Sequence, residues 1–227
     1  MNQAFYARML FGTSAVMFGV VALIGHGTAF AWCVALGGIA GGLGVLFPRT
    51  ARLGAVVLGV AYGVASLACI PGILRAPASY VQYGNFFEQF AVVCGALALY
   101  AATEGNVGRA AALGRTARVG FALCLISFAA AQVVYLGFTA SLVPAWIPPS
   151  QVFWVILTTI AFALAALAVL IDFRARLALR LTTLMLVLFA VLVWIPQVVA
   201  HPAALSDWSE LAETLLIAGS AWVAAGA

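Results

Sequence analysis

The chain has no lysine, and its ten arginines and six acids leave only 7% of its 227 residues charged. A soluble domain carries about 25%. So few charges cannot cover a water-facing surface, and with 66% hydrophobic residues the expected solvent is lipid. A net charge of +4 does not point to nucleic acid, because the arginines are scattered over short connections instead of forming a basic patch. Cysteine is scarce. Cys33, Cys69, Cys94 and Cys124 form no C-x-x-C and no zinc spacing. They lie in apolar stretches, as small buried side chains do, and only Cys69 and Cys94 fall at a depth where a redox pair could form. No nucleophile elbow, phosphate loop or H-E-x-x-H occurs. The sequence therefore assigns no catalytic residue, metal or cofactor, and leaves open whether the chain is an enzyme.

What the sequence has is long hydrophobic runs. A helix needs about 20 apolar residues to cross the hydrocarbon core, and eight spans are expected: 9–27, 30–47, 52–74, 86–103, 118–140, 152–171, 177–199 and 209–226. Arg8, the run from Met9 and Ala29-Phe30-Ala31 imitate a cleavable signal peptide. That run exceeds the usual length of about 7–15 residues, so it is read as a span. With a cytoplasmic N-terminus, Arg8, Arg49, Arg52, Arg109, Arg115, Arg118, Arg174, Arg176 and Arg180 share the cytoplasmic side, and only Arg75 lies outside. Arginine asymmetry of this kind sets orientation, so both termini are expected in the cytoplasm. Glu88, Asp207, Glu210 and Glu213 gather at the outer face, with Trp32, Trp146, Trp154 and Trp208 as an interfacial belt.

The chain also repeats itself. "IPGILRAPASYVQYGNFFE" from Ile70 overlays "IPQVVAHPAALSDWSELAE" from Ile195 without a gap, and "VLFPRTARL" overlays "VLIDFRARL". Two four-span units pointing the same way follow, related by a pseudo-twofold along the membrane normal. They are residues 1–106 and 118–227, joined by a cytoplasmic linker over 107–117. The fold class is all-α: a polytopic membrane protein of eight transmembrane helices in two parallel repeats. The second unit alone carries "ASLVPAWIPPSQ" (140–151), whose prolines forbid a regular helix. It is expected to lie at the interface over the outer mouth of its unit, or to be a simple connection. Gly37/Gly41, Gly38/Gly42 and Gly59/Gly63 let helices approach closely, so the first unit should pack more tightly.

Candidate pocket residues sit in the repeated phrase. Pro71 and Pro196 free the carbonyls of Leu67 and Leu192. Glu88 has the spacing of a capping box with Asn85, and Glu210 with Asp207; Glu88 could instead pair with Arg75. Glu213 lies one turn deeper, on the face of Glu210, where ionisable groups turn inward; it is expected in the interior of the second unit, against the Leu192 carbonyl. Arg75, His201 and Trp208 complete the candidate set. His26 and His201 lack any supporting ligand motif.

"SLVPAWIPPSQVFW", "DFRARLAL" and "DWSE" resemble the DoxX-like family of bacterial membrane proteins, most clearly over 118–225, with the first unit as a diverged copy. The resemblance implies a small four-helix unit in the bacterial inner membrane. In that family some members are associated with thiosulfate:quinone oxidoreduction or with thiol and oxidative-stress complexes. It transfers no catalytic residue. The expected role is a non-catalytic accessory subunit of a membrane redox system that handles a lipophilic ligand such as a quinone. The alternatives are a transporter using Glu88 and Glu213 as proton-sensitive groups, and a structural assembly factor.

Overall fold

In lipid every backbone N–H and C=O must be satisfied within the chain, and for open segments only the helix does this. The computed structural model describes residues 3–25 and 27–227, and among them it is helical with no strand. His26 lies outside the described residues. The helices are α1 (Gln3–Ile24), α2 (Ala29–Leu46), α3 (Ala51–Ala68), α4 (Ile70–Arg75), α5 (Val81–Ala102), α6 (Val107–Val134), α7 (Leu136–Leu142), α8 (Gln151–Leu170), α9 (Ala175–Phe189), α10 (Ile195–Ala200) and α11 (Leu205–Gly226).

Seven stretches are long and apolar enough to cross a membrane: α1, α2, α3 with α4, α5, α6, α8, and α9 through α10. The chain is thus built as a multi-pass membrane protein. Helix α11 has the length, but Asp207, Glu210 and Glu213 lower its hydropathy. It runs through the middle of the molecule, packed on α1, α5 and α9, so protein replaces lipid around much of it. Around the periphery, Val60, Leu164 and Phe138 are more than half exposed, which suits an apolar solvent.

The helices pack in a ring. Helix α1 lies on α2, α2 on α3, α3 on α5, α5 on α6, α6 on α8, α8 on α9, α9 on α11, and α11 returns to α1; α5 and α11 cross at the centre. The centre is tight because Gly95 of α5 meets Ser220 of α11, where an added Cβ would come within 2.6 Å of the hydroxyl oxygen.

The two prolines are accommodated differently. At Pro71 the helix breaks at Cys69 and restarts as α4. Before Pro196 it widens into a π-helical turn, Ala190–Trp194, in which Ile195 N–H donates to the Ala190 carbonyl. Such one-turn widenings are common at functional sites.

Candidate functional site

A cavity of about 270 Å³ opens where the π-helical turn widens α9. Leu192, Val193 and Trp194 of that turn line it, together with residues of α5, α6, α8, α9 and α11. Its cover comes from the proline-rich segment. Helix α6 stops at Tyr135, a short α7 follows, and Pro144, Pro148 and Pro149 keep the chain irregular up to Ser150. Thr139, Leu142, Val143, Pro144 and Ile147 therefore lie against the cavity. The cover is pinned at its far end: Gln151 Nε2 donates to the Val143 carbonyl and Trp154 Nε1 to that of Pro148 at 3.0 Å. Ser150 caps α8 by accepting from Phe153 N–H at 3.2 Å.

The walls are aromatic and aliphatic, with Phe128, Phe162, Phe189 and Trp154 among them. Polar groups are few. Among the described residues, Glu88 is the one ionisable residue of the lining, and it reaches the cavity from α5. Gln132 of α6 is the lining's one amide, and its Oε1 accepts from Thr158 Oγ1 at 3.2 Å and Thr159 Oγ1 at 2.8 Å.

The sequence-derived candidates are partly brought together. Glu88, Glu210 and Glu213 lie close enough to feel one another's charge. Glu213 is half-buried and accepts from Gln89 Nε2 of α5 at 3.0 Å. It also comes within electrostatic reach of Tyr62 on α3. Its partner is therefore a side chain of the first half, and no hydrogen bond links it to the Leu192 carbonyl. Arg75 ends α4 and is exposed. The arginine–carboxylate pairs among the described residues are Arg52–Glu104 and Arg109–Glu104, so the alternative pairing of Glu88 with Arg75 does not form. His201 is exposed, with Nδ1 3.3 Å from Asp207 Oδ2. Trp208 donates its indole N–H to the Pro202 carbonyl at 3.0 Å and packs against Ala190, Val198 and Leu211.

Neither capping box forms. Helix α5 begins at Val81, a turn before Asn85, and α11 begins at Leu205, which leaves Asp207 inside its first turn. The thiol that approaches Cys94 is Cys124, across the α5–α6 contact, while Cys69 donates to the Ala65 carbonyl on its own helix. All four cysteines are free.

Gln132, Thr158 and Thr159 were missed as candidates. Their signal was present: an amide deep in one apolar run and a threonine pair in the next, polar groups that lipid would not leave unpaired. Glu104, in the connection after α5, closes the arginine-rich end of the molecule. The Asn106 N–H beside it, then Arg109 and Arg52, hold its carboxyl below the ordinary value. Comparison with family models, with curated proteins and with solved structures finds no match to this chain.

Proposed function

We propose that the protein spans the bacterial inner membrane eight times as two parallel four-helix repeats with cytoplasmic termini. In this reading it holds a lipophilic, ring-bearing molecule such as a quinone in the cavity beside the π-helical turn, and serves a membrane redox system as a non-catalytic accessory subunit. The cavity carries the reading. An engineered apolar cavity of about 150 Å³ takes up benzene, so about 270 Å³ has room for a substituted or fused ring, and aromatic walls favour a flat one. The helix contacts support the repeat: the principal neighbours of α1, α2, α3 and α5 correspond to those of α6, α8, α9 and α11, although α6 also touches α11. The likeness of the second half to DoxX-like proteins supports the redox setting.

The test uses the full-length protein in nanodiscs and two probes, 2-methyl-1,4-naphthoquinone and 2-methylnaphthalene. Ala131 lines the cavity, and Ala131→Phe fills it. Saturable binding of a probe to wild type that is lost in Ala131→Phe supports the reading. Binding unchanged by the filled cavity, or absent from both proteins, overturns it. A redox enzyme co-purifying with the tagged protein would supply the partner, whereas flux of the probe through proteoliposomes would replace the accessory role with transport.

A further inference from the structure

Glu88 brings an acid to the wall of an apolar space without a countercharge. Among the described residues it is the one ionisable group of the cavity lining. Its carboxyl has no hydrogen-bond or ion-pair partner among them, and the charge it feels is that of other acids. The carboxyl is reachable as well, since Glu88 is half-buried and its unpartnered oxygens are not sealed in the packing.

The elements packed on α5 supply no cation to it. Helix α11 sets Glu210 and Glu213 near Glu88, and Asp207 stands near Glu210. The end of α3 adds the Cys69 thiol. Helix α4 has only Arg75, which is exposed and pairs with no acid, and α6 adds no ionisable group to the lining. Carboxylates grouped in this way attract a cation together, and salt screens that attraction little inside protein. The walls answer the same charge. Trp154, Phe128, Phe162 and Phe189 line the cavity, and the faces of aromatic rings, tryptophan above all, attract organic cations. Acid and rings come from different helices, Glu88 from α5 and the four rings from α6, α8 and α9, so no single helix's composition explains their meeting.

We infer that the cavity is a site for an organic cation, a flat aromatic ring bearing a positive charge, and that Glu88 is the residue that selects the charge while the aromatic walls hold the ring. The inference rests on the cavity reading above and narrows the ligand by its charge. Charged aromatic rings include electron carriers, so the redox setting is kept.

One pair of probes isolates the charge. 2-Methylisoquinolinium has the outline of 2-methylnaphthalene, with a positively charged ring nitrogen in place of one carbon, and its charge does not titrate. Binding is measured to the full-length protein in nanodiscs of phosphatidylcholine, with empty nanodiscs subtracted. Wild type should bind the cation saturably. Glu88→Gln keeps size and polarity, and should weaken the cation roughly tenfold or more while leaving the hydrocarbon unchanged. Equal loss of both probes would make Glu88 a structural residue, an unchanged cation affinity would show that its charge is not used, and wild type that takes the hydrocarbon but not the cation would show that none is selected. Each of these overturns the assignment. All three leave hydrocarbon binding to wild type intact, so they are distinguishable from failure of the cavity reading, in which filling the cavity with Ala131→Phe changes the binding of neither probe. If Glu88→Gln folds poorly, as its melt would report, wild type carries the test. Acid protonates the carboxyls but not the probe, so lowering the pH from neutrality to about 4, into the carboxyl range, should weaken the cation and spare the hydrocarbon. A cation affinity indifferent to that change would overturn the inference.

Discussion

Where α5 and α11 cross, the Gln89 amide donates to Glu213 at 3.0 Å. Glu213→Gln keeps an oxygen for that hydrogen, whereas Glu213→Leu leaves the amide without an acceptor. An unpaired buried donor costs about 1–3 kcal/mol, so thermal melts in detergent should place Glu213→Leu below Glu213→Gln, with the latter near wild type. Equal melts would show that this bond does not anchor the crossing. Glu104 makes a pH-dependent contribution instead. Its folded-state carboxyl titrates below the ordinary 4.5, mainly through the Asn106 N–H and then Arg109 and Arg52. A carboxyl depressed in this way stabilises the fold fully above its unfolded value and ceases to as pH falls through its folded value. The melting gap between wild type and Glu104→Gln should be steady at neutral pH and close below 4.5; a gap that persists undiminished into strong acid would contradict the assignment. At this scale the sequence was informative about the acids within the apolar runs, and poor on the neutral polar groups there and on what each of them meets. Glu88 and Glu213 were recognisable from their depth alone, but partners depend on how each helix is rotated. Mean hydropathy carries no such information, which is why Gln89 was missed for Glu213 and Cys124 for Cys94.

Helix contacts depend on a few backbone approaches, and glycine spacing signals only some of them. A Cβ on Gly54 of α3 would stand 2.6 Å from the Gly44 carbonyl carbon and 2.7 Å from the Gly41 oxygen of α2. Backbone cannot swing aside as a side-chain tip does, so Gly54→Ala must part α2 from α3, and overpacking of this kind costs about 1–3 kcal/mol. Gly59→Ala is the contrast, because its nearest neighbour would be the Ala96 Cβ at 3.7 Å. Detergent melts should show a clear loss for Gly54→Ala and little change for Gly59→Ala; the reverse order would mean that α2 and α3 do not meet as described. The four-residue glycine spacing pointed to Gly37 and Gly41, which do face α3, and to Gly59 and Gly63, which have room to spare. It missed Gly54, which has no glycine partner four positions away on its own helix. Helix ends were blurred for a related reason. Hydropathy reports the part of a helix that lies in lipid, so α6 was expected from 118. Its first turns, with Arg109 and Arg115, continue the same helix from Val107, where charge carries no penalty.

The ring of contacts has a consequence for the molecule as a whole. Residues 1–106 supply α1 to α5 and residues 107–227 supply α6 to α11, but the chain does not fold as two closed bundles. The first helix of each half packs on the last helix of the other: α1 on α11, and α6 on α5, with α5 against α11 between them. Phe11 of α1 is fully buried, and its backbone lies where Gly219 of α11 leaves no space for a side chain. The cavity is shared as well, since Glu88 comes from the first half and the rest of its lining from the second. A half expressed alone would present these small-residue faces to lipid, which packs against them less closely than a helix does. Cutting the chain between Gly105 and Asn106 leaves the helices intact, because the break falls in the connection between α5 and α6. The two pieces, made together with a tag on one, should co-purify and melt as a single transition near that of the uncut protein. Each piece made alone should lose its cooperative melt, and the second piece its probe binding. If either piece alone melted cooperatively at the temperature of the intact chain, the interleaved packing would be wrong, and each half would have to close on itself, with α1 against α5 and α6 packed on α11 far more fully than the slight contact they make here.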